Sequence, residues 1–171
     1  VTARLLSQPG VVRGEDDVIV EALQVSREAR EDARGLSHTT ASLTVQPLPW
    51  GVNRVDAELV WPLGEAGAGI DVGVIDTGIS TSHPDLTPNL KGGVSEVWYT
   101  SSFNDDNGHG SHVAGIIGAA NNSFGVVGVA PSVNLWAIKV LDRRGSGYLS
   151  DVIDGIDWAI AHDMEVVNLS L

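Results

Sequence analysis

Apolar residues in this chain fall into two kinds of run, short continuous stretches and longer stripes at helical spacing, and the two alternate. Ile70 to Ile75 (IDVGVI) has the length and continuity of a buried strand and is stopped by Asp76-Thr77-Gly78. Val94 to Tyr99 reads as a second strand. Leu135 to Leu141 (LWAIKVL) reads as a third, closed by the turn residues 142–147. Small and apolar residues after His109 suit a tightly packed helix. Ser150 to Ala161 places apolar residues at 152, 153, 156, 159 and 160, the spacing of one helix face. Ser150 suits its N-cap, and Asp151 and Asp154 favour its positive end. Glu165 to Leu171 (EVVNLSL) opens a fourth strand, still running where the sequence stops, so the chain reads as cut. This alternation predicts an α/β fold, a doubly wound and mostly parallel sheet with helices on both faces, incomplete at the C-terminus.

The first part of the chain has a different texture. Val18-Ile19-Val20 is a short strand signal behind the acidic turn Gly14 to Asp17. Charges alternate in sign from Ser26 to Arg34, as on a solvated helix or linker, and Gly35 to Thr44 is small and polar. Pro47 and Pro49 then force an extended entry, and Val52 to Trp61 reads as a short helix. Three segments follow from this: 1–25, a polar linker 26–44, and a globular part 45–171.

Composition narrows the function classes. The 171 residues are 43% hydrophobic, enough for one domain with a sizeable core. No apolar run approaches the roughly 20 residues of a spanning helix, and the first residues do not read as a secretory signal. Ten Lys+Arg against 22 Asp+Glu give a net charge of −12, which argues against nucleic acid and anionic membrane as partners. Only Lys91 and Lys139 are lysine; an acidic, lysine-poor surface suits a salty milieu, and plain solubility explains it equally well. With no cysteine, disulfides, thiolate nucleophiles and Cys-based zinc sites are excluded.

The stretch Asp105 to Pro131 carries the candidate chemistry. Asn107-Gly108 marks a tight turn, and His109 follows where loop becomes helix, held by the backbone yet open to a cleft. His109 and His112 share a helix face and could pair on a metal, but the HExxH pattern is absent. Asp76, at the carboxyl end of a buried strand, lies where α/β folds place their sites; a turn aspartate bonded to nearby backbone N–H groups is the alternative. Gly64 to Gly69 invites an NAD-type Rossmann reading but precedes its strand instead of following it. GLSHT at 35–39 is half of a GxSxG elbow, without the closing glycine.

Taken together, VGVIDTGISTSHPDL and NGHGSHVAGIIG resemble the subtilisin-like serine proteases, the subtilase family, and the likeness runs from Gln46 onward. The family's chain order is Asp, His, Ser. By motif, the resemblance makes Asp76 the orienting acid and His109 the general base, with His112 bracing the helix. It makes Gly145-Ser146-Gly147 the edge that pairs with an extended peptide. Leu141, Leu149 and Val152 line an apolar pocket, and Ser170-Leu171 begin the facing segment. It implies a structural calcium ion held by Gln46, Asp85 and Asn122 with the backbone oxygens of Ala120, Phe124 and Val126. Residues 1–25 resemble the last strand of the inhibitory propeptide, with Gly14 where an apolar residue is expected. Processing would fall between Leu23 and Val45, and an uncut chain would hold Gln46 away from the calcium site.

No serine stands in a GTSMA-type context, so the nucleophile and oxyanion region belong beyond Leu171, and the chain as written would be inert. The full-length protein is then expected to be a secreted, monomeric serine endopeptidase acting on extended protein substrates, with its own propeptide as inhibitor and chaperone. The alternative is an inactive homologue that serves as a binding module.

Overall fold

The computed structural model describes residues 16–23 and 46–171. The linker 26–44, the GLSHT stretch and Gly14 lie outside the described residues.

Four strands form one parallel sheet in the order β3-β4-β2-β6: β2 is Asp71–Asp76, β3 Leu90–Ser95, β4 Asn134–Lys139 and β6 Val166–Leu169. β2 pairs with β4 on one side, Asp76 opposite Lys139, and with β6 on the other, Ile75 opposite Leu169. Alternation along these central strands sends side chains to two faces. Val72, Val74, Leu135 and Ala137 pack with Ala114 of helix α2 (His109–Gly118), whereas Ile75, Ile138 and Val140 pack with Val152 and Ala159 of α3 (Leu149–Ala161). Each buried Val, Leu or Ile among them contributes about 1.5–3 kcal/mol. The doubly wound arrangement is thus present, with α2 on one face and α3 on the other. The expected helix at 52–61 is instead α1 (Trp50–Arg54) followed by two single 3₁₀ turns, Ala57–Leu59 and Trp61–Leu63.

Two details differ from the pattern in the sequence. The second strand begins at Leu90, not Val94, and ends at Ser95; Val97 to Tyr99 are not strand. Its centre is Gly92-Gly93, which carries no hydropathy signal. At Gly93 a Cβ would collide with the Ala137 carbonyl of β4, so a glycine is required by close approach of two backbones. Ser150 is not the N-cap of α3 either. That position is Tyr148, and the first turn is capped from outside: Val18 O accepts from Leu149 N, and the Asp17 carboxylate accepts from Ser150 N at 3.0 Å and from Ser150 Oγ at 2.5 Å.

A second, two-stranded sheet joins β1 (Ile19–Glu21) antiparallel to β5 (Ser146–Tyr148). The pairing continues beyond β1, where Ala22 N donates to Gly145 O at 2.8 Å and Leu23 N donates to Ser170 O at 2.9 Å. Residues 18–23 therefore lie extended between β5 and the stretch after β6.

Candidate active site

Asp76 is the last residue of β2, a strand bonded on both edges, and its side chain is fully buried. Its backbone oxygen accepts from Val140 N and Leu141 N, which fixes the strand end against β4. His109 is the first residue of α2. The preceding Gly108 has φ 107°, a conformation a side chain would resist, and this turn swings the helix start toward β2. His109 Nδ1 then lies 2.8 Å from Asp76 Oδ1 and 2.9 Å from Oδ2. An ionised carboxylate only accepts, so Nδ1 carries the proton and Nε2 is left as the basic nitrogen. The imidazole is 12% exposed, and among the described residues Nε2 has no partner. The bond expected of a turn aspartate is present as well, since Oδ1 also accepts from Thr77 N at 2.6 Å.

Two supporting groups escaped the sequence reading. Asp105 Oδ1 accepts from Thr77 Oγ1, Asn107 N and Gly108 N, and Oδ2 accepts from Ser111 N and Ser111 Oγ. One carboxylate thereby joins the residue after Asp76 to the turn before His109. Burial pushes the Asp105 carboxyl up, and the hydrogen bonds from Gly108, Ser111 and Asn107 outweigh it, leaving it below the usual value. The Asx-turn signal of Asp105-Asp106-Asn107-Gly108 could have found this latch.

The second is Lys139, fully buried at the end of β4. Its Nζ donates to Thr77 O at 2.6 Å, Asp106 Oδ1 at 2.7 Å and Leu141 O at 2.9 Å. Tyr99 donates its hydroxyl to Asp106 Oδ2 at 2.8 Å; burial and this bond to a carboxylate push the phenol up to about 12. Burial raises the Asp106 carboxyl, but the bonds from Lys139 and Tyr99 bring it below the ordinary value.

The expected substrate residues are partly gathered. Ser146 and Gly147 belong to β5, Gly145 O and Ser170 O accept from residues 22 and 23, and Leu141 and Val152 share one cluster with Val20, Ala22 and Leu171. Leu149 does not join that cluster; it starts α3 and is 40% exposed. Among the described residues the His112 side chain makes no hydrogen bond. The ring is exposed and borders a cavity of about 780 Å³ lined also by Trp50, Val55, Ile116 and Val129, away from Asp76 and His109.

The six residues expected at a metal also converge. Gln46 Nε2 donates to Ala120 O at 3.0 Å, Phe124 O at 2.6 Å and Val126 O at 2.6 Å, while Gln46 Oε1 accepts from Asn122 N at 3.0 Å. Asn122 Nδ2 reaches Pro84 O, beside Asp85. The buried Asp85 Oδ1 has no partner. Gln46 makes these contacts in the uncut chain, contrary to the expectation that it would be held away. Among the described residues no three His, Cys, Asp or Glu cluster at a point, so any ion here would be held mainly by neutral oxygens.

A buried carboxylate at a strand end that fixes one nitrogen of a histidine and leaves the other without a partner is an arrangement suited to proton transfer. A profile of the subtilase family matches residues 67–171, and the chain belongs to that family. It is 50% identical over 132 residues to a thermostable alkaline protease of Halalkalibacterium halodurans, covering 77% of this chain and 36% of that protein. It is 53% identical over 126 residues to Subtilisin Savinase of Lederbergia lenta, covering 74% of this chain and 46% of the relative. To the minor extracellular protease Epr of Bacillus subtilis the identity is 49% over 122 residues, 71% of this chain and 18% of Epr. The chain thus spans less than half the length of these relatives. Among the described residues no helix is long and apolar enough to cross a membrane.

Proposed function

We propose that the full-length protein is a subtilisin-type serine endopeptidase in which Asp76 is the orienting acid and His109 the general base. The nucleophilic serine is supplied by sequence beyond Leu171. The observation that carries this reading is the 2.8 Å bond from His109 Nδ1 to the buried Asp76 carboxylate, which leaves Nε2 free beside the cleft. Nε2 takes the proton of the serine hydroxyl, a poor nucleophile otherwise, and returns it to the departing amine. Asp76 keeps the imidazole in that tautomer and stabilises the imidazolium. Reaction of the full-length protein with a fluorophosphonate probe tests the assignment. Labelling that disappears in His109→Ala supports it, and a folded protein that never labels refutes it.

Residues 1–25 serve as the end of an inhibitory propeptide, and processing lies between Leu23 and Val45. What supports this is the way residues 18–23 pair with β5 and reach Ser170, as an extended substrate adds a strand to a sheet edge. Gly145, Ser146, Gly147 and Ser170 bind substrate backbone, and Leu141, Leu149, Val152 and Leu171 its apolar side chains. Substrates are therefore read mainly through the main chain. Resemblance to extracellular Epr supports secretion.

Gln46, Asp85, Asn122 and the carbonyls of Ala120, Phe124 and Val126 fit a structural calcium ion. Three carbonyl oxygens crowd an amide nitrogen that has only two hydrogens, and Asp85 Oδ1 is buried without a donor. Such a set of hard oxygens with one charge calls for a divalent cation with a flexible shell. Calcium, when bound, cross-links the N-terminal arm to the 120–126 loop and takes no part in proton transfer.

A further inference from the structure

We propose that Arg143 and Arg144 form an acid-selecting subsite, so that the cleft accepts Asp or Glu at the position Ala22 occupies. This rests on the proteolytic reading for its catalytic consequence. A cavity of about 220 Å³ borders Ala22 and Leu23 and is walled by Asn107, His109, Arg143, Arg144 and Gly145. Ala22 is 5% exposed, and its backbone is pinned by the bond to Gly145 O. Its methyl packs in the apolar cluster with Leu141 and borders the cavity at Gly145, where a built Cβ would sit 3.5 Å from Ala22 Cβ and 3.6 Å from Asn107 Nδ2. A single methyl leaves that space open, and a longer side chain at the same position extends into it.

The chemistry of the walls selects the side chain. Asn107 is spoken for, its Nδ2 donating to Arg143 O and its Oδ1 accepting from His109 N. The carboxylates nearby are occupied as well. Asp142 Oδ1 accepts from Arg144 N and Ser146 N, Asp106 holds Lys139 and Tyr99, and Asp76 holds His109. Among the described residues neither guanidinium is ion-paired. Arg143 and Arg144 are exposed and always charged, each with five N–H donors in a planar fork that matches a carboxylate. The net charge of −12 opposes an acidic peptide only at long range. Those nearby carboxylates keep their charge but turn their oxygens to protein donors, which leaves the two exposed guanidiniums as the groups free to meet a peptide carboxylate. A lysine at this position meets two like charges and is disfavoured.

The test uses the full-length protein and peptides of the sequence DVIVEAL with a fluorogenic leaving group after the leucine, in Ala22→Glu, Ala22→Gln and Ala22→Lys forms. The expected order of kcat/KM is Glu over Gln over Lys, with Glu ahead of Gln by about fivefold, the size for exposed ion pairs. That ratio should fall toward one at high salt and in the Arg143→Ser/Arg144→Ser double variant. A wild-type ratio of one or less overturns the proposal. If no peptide is cleaved and the fluorophosphonate probe fails, the proteolytic reading is what has failed. Fluorescence anisotropy of labelled, uncleaved peptides then decides the subsite: tighter binding of the Glu form upholds it, and equal or weaker binding sinks it.

Discussion

The Lys139–Asp106 pair allows a prediction that runs against burial alone. Lys139 is fully buried and Asp106 has a side chain 35% exposed, so removing the lysine looks the more damaging change. The partners argue otherwise. Asp106→Ala leaves the ammonium buried with only the Thr77 and Leu141 carbonyls, and stranding a buried charge costs about 3–5 kcal/mol. Water entering through the partly exposed site brings this to the lower end. Lys139→Met leaves two carbonyl oxygens without their donor, at about 1–3 kcal/mol each. It also abolishes the need to desolvate an ammonium, a penalty of several kcal/mol that offsets most of that loss. The net expectation is about 1–2 kcal/mol for Lys139→Met and about 3 kcal/mol for Asp106→Ala. Adding Asp106→Ala to Lys139→Met should cost less than about 1 kcal/mol, since exposed charges contribute little. Denaturant midpoints of the full-length protein, read with unchanged slope, measure all three variants. Single-variant effects that add to within about 0.5 kcal/mol, or a Lys139 variant worse than the Asp106 one, refute the reasoning.

Calcium should raise the melting temperature of the full-length protein before any cut, because Gln46 already reaches the 120–126 loop in the uncut chain. At a hundredfold excess over Kd the gain is about 2.7 kcal/mol, and no shift in saturating calcium, or an equal shift in Asp85→Asn, counts against the site. Gly93→Ala should destabilise by about 1–3 kcal/mol, because the new methyl lands on the Ala137 carbonyl; a denaturation midpoint equal to the parent's would show that β3 and β4 are not so close. Docking of residues 17–23 should weaken in acid. The Ser150 hydroxyl and amide hold Asp17's carboxyl below its ordinary 3.8, and a depressed pKa means a contribution complete above that value and lost as pH falls through the docked one. Anisotropy of a labelled 16–23 peptide against pH checks this, and an Asp17→Asn peptide that keeps the same acid dependence contradicts it.

How far the fold could be read depended on where its signal was stored. β2, β4 and α3 announced themselves because their side chains repeat at the period of the element and face a core. β3 did not, since Gly92-Gly93 has no side chain to pattern. Asp76 and His109 could be picked out because each sits at an element's end beside a glycine turn, a local arrangement. Lys139 was hidden inside an apolar strand, and two of its three acceptors, Thr77 O and Asp106 Oδ1, come from distant places in the chain.

The sequence alone determined the alternation of strands and helices, the two ends where acid and base sit, and the class of chemistry they suit, because these follow from neighbours a few residues apart. Only the tertiary structure decided what those ends meet. Asp105 latches the acid's strand to the base's turn, a remote Asp17 caps α3, and the chain's own Ala22 stands over an arginine-walled cavity. Such partners are set by the crossing of distant segments, and hydropathy along the chain carries no record of them.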